Sequence, residues 1–368
     1  MHSLARFIPR NSRFPFDAVL RSIKVRHFRC FDAFEAGFAP GLNLIVGPNA
    51  HGKTSLLESV CILLRLASPR ISRLPHAIQH ERRGFVVDGF FAERHMQFYF
   101  SRERKKLALD EVEQKTASEY LKIARVVWFS NTDIEIARGT SEVRRRFLDF
   151  IAVQRDARYR PALRAYERAL RSRNLLLKAP HPRWREIAAF DEPLIEHGNV
   201  LTSARASLLA DLQAPAEAAH RSISGARETL ALEYQPGAGA DFAAMLAHSH
   251  SEDARLRLTS VGPHRDEVHF SLNGQSCDFA SEGQQRTLVL ALKIGAARLL
   301  AEHFAAPPIV LLDDTFGELD PTRRNALLAA LPADSQKLVT TTNIDWMPAN
   351  SAARVLRLGS HPNMKMES

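Results

Sequence analysis

One stretch of the chain matches the pattern G-x-x-x-x-G-K-[ST]: Gly47-Pro48-Asn49-Ala50-His51-Gly52-Lys53-Thr54. It follows the apolar, strand-like run 42–46 and leads into the helix-like run 54–66. In that context the backbone N–H groups of the loop can surround β- and γ-phosphates at the positive end of a helix. Lys53 is expected to contact the γ-phosphate and Thr54 to bind Mg²⁺. The pattern predicts that the chain binds ATP and hydrolyses it.

A second motif lies far along the chain, where the apolar run 309–312 ends in two carboxylates, Asp313 and Asp314. Asp313 is expected to bind the same Mg²⁺ as Thr54, directly or through water. The predicted catalytic residues are Lys53, Asp313 and Asp314. Because Lys53 and Asp313 come from opposite ends of the chain, a large insertion must separate the two halves of the site.

A third segment, Ser281-Glu282-Gly283-Gln284-Gln285-Arg286, opens a helix-like run before the carboxylate pair. It resembles the signature loop of ABC-type ATPases, which holds the γ-phosphate of a nucleotide bound by a second copy of the protein. The resemblance assigns this role to Ser281, Gly283 and Gln284. It places Asp320, in the segment 317–320, in the D-loop. It also implies a head-to-head dimer with two ATP molecules between the subunits.

The composition excludes several classes of protein. The chain has 368 residues, of which 45% are hydrophobic, so it can bury a large core and is expected to form two lobes. Cys30, Cys61 and Cys277 show no C-x-x-C spacing, which favours a reducing compartment and argues against a zinc site. No apolar run approaches the roughly 18 residues of a membrane span, and residues 1–18 lack the apolar core of a signal peptide. We therefore expect a soluble, cytoplasmic protein.

Basic residues are concentrated in one part of the chain. The net charge is +9, and residues 141–178 hold eleven Lys and Arg against four Asp and Glu. Clustered positive charge favours a polyanionic partner, although a charge run is also typical of a solvated helix face. The candidate DNA contacts are Arg144, Arg145, Arg146, Arg164, Arg168 and Arg171. The last three share one face of a predicted helix. The basic residues between 102 and 106 are the alternative DNA site.

The predicted elements divide the chain into two lobes. Strand signals at 19–25 and 42–46 and a strand-rich meander at 84–109 surround the phosphate loop and its helix. A helical pattern runs from 141 to about 248. Strand signals return at 255–259 and 268–272, where Asn273-Gly274 predicts a hairpin turn. The predicted domains are an N-terminal extension (1–18), a first ATPase segment (19–140), a helical lobe (141–255) and a second ATPase segment (256–368).

The chain resembles the RecF family of bacterial ATPases from about residue 20 to about residue 343. The resemblance rests on three segments: His27-Phe28-Arg29-Cys30-Phe31, Arg144-Arg145-Arg146-Phe147-Leu148-Asp149, and Thr259-Ser260-Val261-Gly262-Pro263-His264-Arg265-Asp266. General ABC ATPases lack the last of these. The segments 281–286 and 311–320 match as well. The resemblance implies an α/β fold: an ABC-type, SMC-like P-loop ATPase head with an inserted helical second lobe.

The same resemblance implies an ATP-dependent DNA-binding protein of recombinational repair and replication restart. ATP and Mg²⁺ would drive two copies into a dimer that clamps DNA, and weak, DNA-stimulated hydrolysis would open it. The implied DNA is a gapped duplex or a junction of single and double strands. The implied partners are RecR, RecO and, indirectly, the RecA filament. An ABC-type ATPase subunit coupled to a partner other than DNA is the alternative.

A few positions depart from the pattern of related ATPases or carry an open role. Asp314 stands where ABC ATPases usually have a catalytic Glu, as the RecF pattern has it, and its shorter side chain favours slow turnover. Gly317 stands where the family often has Ser, and the usual Ser-His-Arg is Ser68-Pro69-Arg70. Arg29 is a candidate contact to the nucleotide, with a structural ion pair as the alternative. One residue of 340–343 could sense the γ-phosphate or could end a buried strand.

Overall fold

The computed structural model describes residues 18–71, 73–225, 228–347 and 352–359. The predicted extension, residues 1–18, lies outside this part of the chain except for its last residue. The strands are β1 (Leu20–Phe28), β2 (Phe31–Gly37), β3 (Leu42–Val46), β4 (Gly84–Phe91), β5 (Arg94–Ser101), β6 (Lys105–Leu109), β7 (Val112–Glu113), β8 (Val126–Ser130), β9 (Leu230–Gln235), β10 (Glu267–Leu272), β11 (Gln275–Ser276), β12 (Ile309–Asp313), β13 (Lys337–Thr341) and β14 (Arg354–Arg357). The helices are α1 (Lys53–Arg65), α2 (Ser118–Lys122), α3 (Glu135–Arg138), α4 (Ser141–Arg155), α5 (Tyr159–Leu177), α6 (Trp184–Ala188), α7 (Asp191–Ser224), α8 (Phe242–His248), α9 (His250–Leu256), α10 (Glu282–Phe304) and α11 (Pro321–Ala330).

A parallel sheet in the order β14-β3-β13-β12-β8 carries the phosphate loop. Strands β12 and β13 are buried along their whole length, and β3 along most of it, as expected for a parallel sheet covered on both faces. The register pairs Val46 of β3 with Thr341 of β13, and Asp313 of β12 with Ser130 of β8. The carboxyl ends of these strands therefore meet at one edge of the sheet. This edge brings together the motifs from the two ends of the chain.

An antiparallel sheet in the order β2-β1-β4-β5-β6-β7 packs beside the parallel sheet. Its strands β4 to β6 confirm the meander predicted at 84–109. Helix α1 packs between the two sheets, because its side chains share one apolar core with Phe85 and Phe98 of the antiparallel sheet and Trp128 and Leu311 of the parallel sheet. The helix that follows the phosphate loop is thereby held from both sides.

The helical part of the chain differs from its prediction in two places. Strand β9 interrupts the predicted helical run and pairs with β10, while the predicted Asn273-Gly274 turn does join β10 to β11. The strand predicted at 255–259 is wrong, because α9 continues to Leu256. The buried carboxylate of Asp253 accepts hydrogen bonds from the backbone and the side chain of Ser260. With Arg257 in the left-handed region, these bonds close the segment into a turn instead of an extended strand.

One apolar core runs from the parallel sheet into the helices. It includes Leu44 and Phe129 of the sheet, Leu292 of α10, and Leu208 and Leu212 of α7. Helices α7 and α10 approach closely at Gly295, where a Cβ atom would lie 2.8 Å from the backbone nitrogen of Ala216. A larger residue than glycine would push the helices apart. The division into separate lobes at 141 and 255 stays a prediction, and none of the helices described is long and apolar enough to cross a membrane.

Candidate nucleotide site and basic surfaces

The phosphate loop takes its shape from left-handed residues at its turn into α1. Ala50 has φ 67° and Gly52 has φ 87°. A Cβ atom on Gly52 would lie 2.7 Å from Cζ of Phe31 and 2.9 Å from Sγ of Cys30. The side chains of Cys30 and Phe31, where β1 turns into β2, therefore pack directly against the phosphate loop. Glycine is required here both for the backbone angle and for this close approach.

Lys53 begins α1 and points back into the loop. Its Nζ donates to the carbonyl oxygens of Gly47 at 2.7 Å and Pro48 at 2.9 Å, and its side chain is buried. Burial lowers the pKa of Lys53, whereas the carboxylates of Asp314 and Asp313 raise it. The ammonium group thus contacts the loop and lies within electrostatic reach of the carboxylate pair.

Asp313 joins the two halves of the site. One of its carboxylate oxygens accepts from the hydroxyl of Thr54 at 2.8 Å and from the hydroxyl of Thr340 at 3.1 Å. Burial raises the pKa of Asp313, while these hydrogen bonds and the charge of Arg70 lower it. One hydroxyl and one carboxylate are the protein ligands that Mg²⁺ commonly receives at a nucleotide phosphate. The pair Thr54 and Asp313 fits that ion chemically.

Asp314 has an unusual backbone. Its φ is 51°, in the left-handed region that Asp and Asn tolerate better than most residues. Its N–H donates to the Thr340 hydroxyl at 2.8 Å. Thr340 is fully buried and therefore positions both carboxylates. Of the residues 340–343, Thr340 is therefore the one that contacts the carboxylate pair, by bonding to the side chain of Asp313 and the backbone of Asp314. A Cβ atom at Gly317 would lie 3.7 Å from the Asp314 carboxylate.

Arg29 forms an ion pair with a buried carboxylate. Its Nε and Nη2 donate to the two oxygens of Glu58 at 2.8 Å and 3.0 Å. Glu58 also accepts from the hydroxyl of Ser68 at 2.8 Å, and that hydroxyl accepts from the N–H of Arg70 at 3.1 Å. Arg29 is therefore placed to support the segment that carries Arg70 toward Asp313. The sequence showed Arg70 only as part of an altered tripeptide and gave no sign that its charge acts on the carboxylate of Asp313.

The signature segment forms the N-terminus of α10. Ser281 caps the helix by accepting from the N–H of Gln284 at 3.3 Å, and Gln284 returns a bond to the N–H of Ser281 at 2.8 Å. The side-chain amide of Gln284 donates to Glu228 at 2.6 Å. A Cβ atom on Gly283 would lie 3.7 Å from the guanidinium of Arg323 in α11. The first turn of α10 and the first turn of α11 therefore lie side by side.

Asp320 is the N-cap of α11. Its carboxylate accepts from the N–H of Arg323 at 2.9 Å, which satisfies a free donor of the first turn. The aspartate predicted for the D-loop thus has a structural bond within its own subunit.

Lys293 is a buried cation that sequence reasoning missed. Its Nζ lies 2.5 Å from the carboxylate of Asp133 and donates to the carbonyl of Trp128 at 2.6 Å. Burial lowers the pKa of Lys293, and Asp133 raises it. The pair connects the middle of α10 to the end of β8. A lysine inside the otherwise apolar run 288–297 was the available signal.

The predicted DNA-contacting arginines divide into two groups. Arg144 and Arg145 donate to the backbone carbonyls of Gly139 and Asp266, so both are engaged within the fold. Arg146 is exposed and pairs with Glu142. The second group is the α5 face, which consists of Arg164, Arg168 and Arg171. All three are exposed, and only Arg171 has an ion pair among the contacts described, at 3.8 Å from Glu167.

The block 259–266 forms a buried polar network. Arg205 of α7 donates to the carboxylate of Asp266 at 2.8 Å and pairs with Asp149 of α4 at 2.8 Å. His264 lies between the hydroxyl of Tyr166 at 2.6 Å and the carbonyl of Thr259 at 2.9 Å. Burial lowers the pKa of His264 to about 4. The histidine is thus bonded within its turn.

Comparison with known families places these features in context. The model of the RecF/RecN/SMC N terminal domain matches residues 19–363. The DNA replication and repair protein RecF of Symbiobacterium thermophilum is 36% identical over 344 residues, covering 89% of this chain and 92% of the relative. That of Thermosynechococcus vestitus is 37% identical over 350 residues, covering 88% and 91%.

Solved structures agree with this comparison. The recombination mediator protein RecF with ATP, of the RecFOR pathway, superposes with a TM-score of 0.85 at 27% identity, covering 97% of this chain and all of the other. An SMC head bound to a winged-helix domain of ScpA has a TM-score of 0.54 at 14% identity, which shows a shared fold. The α/β, ABC-type and SMC-like ATPase head predicted from the sequence is thus confirmed. The chain belongs to the RecF family.

Proposed function

We propose that this chain is an ATP-dependent DNA-binding protein of recombinational repair and replication restart, acting in the cytoplasm. ATP drives two copies into a dimer that clamps DNA, and weak, DNA-stimulated hydrolysis opens it. One observation carries the proposal: the hydroxyl of Thr54 donates to Asp313 at 2.8 Å, which joins motifs from the two ends of the chain. A hydroxyl and a carboxylate held together in this way are the protein ligands that Mg²⁺ commonly receives at a nucleotide phosphate.

The roles at the site follow from its geometry. Lys53 exchanges its bonds to the loop carbonyls for oxygens of the β- and γ-phosphates, which develop negative charge during transfer. Thr54 and Asp313 would hold Mg²⁺, which would neutralise negative charge on the phosphates. Asp314 orients the attacking water and accepts its proton. The carboxylate pair raises the pKa of Lys53 and so opposes the effect of burial, which lowers it.

The signature segment 281–286 and Asp320 account for the proposed dimerisation. The N-terminus of α10 presents Ser281, which is exposed, and the first turn of a long helix, which attracts anions. The γ-phosphate of the ATP held by one subunit accepts hydrogen bonds from Ser281, Gly283 and Gln284 of the other subunit. Asp320 of the D-loop lies at the same interface. ADP lacks that phosphate and leaves the subunits apart.

DNA lies along the α5 face. These arginines contact the phosphates of a gapped duplex or of a junction between single and double strands, with Arg144, Arg145 and Arg146 at the base of the helical lobe. Relatives carrying the RecF name are described as DNA replication and repair proteins, and a solved relative is described within the RecFOR pathway. RecR and RecO are therefore the proposed partners, with the RecA filament reached indirectly.

Light scattering with ATP and with ADP tests the proposal. Wild type should dimerise with ATP alone, whereas Ser281→Arg should bind ATP and stay monomeric because the long cation blocks the phosphate of the partner. Ser203→Arg, at an exposed position of α7, is the matched control and should behave as wild type. Equal dimer with both nucleotides, or a full dimer of Ser281→Arg, contradicts the proposed dimer. ATP turnover that gapped duplex DNA leaves unchanged favours a partner other than DNA.

A further inference from the structure

Five basic side chains converge where α5 meets the strand-rich part of the chain. We call them the junction cluster: Arg65, Lys105, Arg125, Arg160 and Arg164. They come from α1, β6, the residue before β8, and α5. Arg160 acts electrostatically on both Arg65 and Lys105, and Arg164 acts on Lys105 as well. The cluster therefore joins the two candidate DNA sites that the sequence offered as alternatives.

Backbone contacts hold the cluster in place. Gln154 at the end of α4 accepts from the N–H of Val126 at 2.8 Å and donates to its carbonyl at 3.0 Å. This docks the turn between α4 and α5 against the start of β8. Arg65 and Arg125 each donate to the carbonyls of Leu121 and Ala124. The positions of these cations are thus set by the fold.

Among the described residues, no carboxylate forms an ion pair with any of the five side chains, although the charge of Arg164 acts on Glu167 of the same helix. Within the described chain, the side chain of Arg160 makes no hydrogen bond or ion pair, and its Nη1 is buried without a hydrogen-bond partner, as are Nε of Arg65 and Nε of Arg125. The guanidinium of Arg125 lies over the ring of Phe304, 3.7 Å from its centroid. Burial and the charge of Arg164 lower the pKa of Arg160 to about 10. Burial and the charges of Arg125 and Arg160 lower the pKa of Arg65 to about 9. Buried donors and crowded cations of this kind are costly. An anion at the exposed edge of the cluster would offset the repulsion between these cations.

The layout of charge favours a long anion over a small one. From Arg160 to Arg171, α5 rises about 16 Å. That length spans about five base-pair steps of duplex DNA at roughly 3.4 Å each. Lys105 and Arg164 are both exposed, so the cluster opens to solvent where it adjoins the α5 face. A row of phosphates can therefore contact the α5 face and the junction cluster at once.

We infer that the solvent-facing members of the junction cluster, Lys105, Arg164 and the partly exposed Arg160, bind backbone phosphates of DNA, so that one duplex contacts α5 and the antiparallel sheet together. The buried Arg65 adds positive charge behind them without touching the duplex. This inference rests on the proposed function, because it requires that the chain bind DNA. Arginine and lysine satisfy phosphate oxygens through charge-assisted hydrogen bonds without reading sequence. A duplex bound in this way crosses the boundary between the two predicted lobes.

Two adjacent lysines of β6 provide the test. Lys105 faces the cluster, whereas Lys106 pairs with Glu113 at 3.3 Å. Lys105→Gln and Lys106→Gln remove the same charge from neighbouring positions. We expect Lys105→Gln to weaken the binding of duplex DNA of any sequence. The slope of log affinity against log salt concentration should become less negative by about 0.9, the value for one phosphate contact. Lys106→Gln should leave both quantities at the wild-type value.

Arg160→Gln is a second variant with a separate readout. It should flatten the salt plot in the same way and leave the unfolding temperature unchanged or raised, because it removes a repelled cation. If Lys105→Gln and Arg160→Gln keep the wild-type salt slope while wild type binds DNA, the cluster is not a DNA site and the proposed function stands. If wild type itself fails to bind DNA, the proposed function fails. Millimolar inorganic phosphate that protects the wild type from unfolding but does not compete with DNA points to a small-anion site and overturns the inference.

Discussion

Asp313 connects the phosphate-loop helix to the parallel sheet through two hydrogen bonds. One oxygen of its carboxylate accepts hydrogen bonds from the hydroxyls of Thr54, in the first turn of α1, and Thr340, in β13. A change in either threonine therefore alters the position of that oxygen. The sequence predicted Thr54 and Asp313 because each lies in a short motif next to an apolar strand. It could not single out Thr340 within the segment 340–343, since a buried threonine at a strand end has no distinctive pattern. The hydrogen bond appears only once β12 and β13 are paired.

Asp314 should separate nucleotide binding from hydrolysis. Asp314→Asn keeps the left-handed backbone, which Asn tolerates as well as Asp, and removes the negative charge that accepts the proton. We expect the variant to bind ATP with wild-type affinity, to lose at least about 100-fold in turnover, and to accumulate the dimer. Nucleotide affinity and single-turnover rates measure this.

Lys53→Ala is the contrasting variant for that measurement. It removes the cation from the loop and should lose tight ATP binding, which Asp314→Asn retains. Turnover of Asp314→Asn at the wild-type rate would mean that another group acts as the base. Loss of ATP binding in Asp314→Asn would instead assign the residue to the nucleotide contact.

At the level of elements, the motifs predicted where helices begin better than where strands lie. Helix α10 begins at the capping pair Ser281 and Gln284, a local signal that a short sequence window contains. Strand β9 was missed because its stability depends on pairing with β10, which is distant in sequence. The segment 255–259 alternates like a strand, but the bonds of Asp253 to Ser260 bend it into a turn. Tertiary contacts override local preference in both cases.

The N-terminus of α10 yields a prediction about Glu228. Its carboxylate accepts from Gln284 at 2.6 Å, and Gln284 in turn bonds to Ser281, so Glu228 positions the signature segment from outside it. We expect Glu228→Ala to weaken the ATP-driven dimer about tenfold, the effect of losing one charge-assisted hydrogen bond. ATP binding by the monomer should not change, because Glu228 contributes nothing to the phosphate loop. Sedimentation at several protein concentrations gives the dimer affinity.

Glu228→Gln is the matched control for this residue. Its amide oxygen can still accept from Gln284, so the dimer should weaken less than in Glu228→Ala. Equal dimer affinity in all three proteins would show that the helix cap alone positions Ser281. Weakened ATP binding by the monomer would point to a general loss of structure.

Across the whole molecule, sequence reasoning succeeded where a motif is local and failed where charge from distant segments combines. The ATPase-head fold was predictable from three motifs, at 47–54, 281–286 and 309–314, because the sequence around each one also indicates the adjoining strand or helix. The junction cluster could not be predicted, because Arg65, Lys105 and Arg160 have no common pattern and meet only through the docking of Gln154 on Val126. The same holds for the network around Arg205, which connects α4, α7 and the turn at 263–266.

The network gives the last prediction, which concerns stability against acid. The neutral ring of His264 accepts from the Tyr166 hydroxyl and donates to the Thr259 carbonyl, so both ring nitrogens are satisfied without a charge. Burial, and after it the charges of Arg265 and Arg145, lowers the pKa of His264 from 6.5 to about 4, although Thr259 and Asp253 act in the opposite direction. Between pH 6.5 and about pH 4, His264 is therefore protonated in the unfolded chain and neutral in the folded chain. Stability contributed by the neutral histidine is complete above pH 6.5 and is lost as the pH falls toward 4.

His264→Gln tests this directly, because the amide can keep both hydrogen bonds and cannot take up the proton. The free energy of unfolding of wild type should fall faster than that of the variant below pH 6.5, by up to about 1.4 kcal/mol for each pH unit. His269→Gln, at an exposed position of β10, is the matched control and should follow the wild-type curve. Urea unfolding at a series of pH values from 7.5 to 4 measures all three proteins. Parallel curves for wild type and His264→Gln would show that His264 is protonated in the folded chain, and that acid destabilises the molecule through other groups.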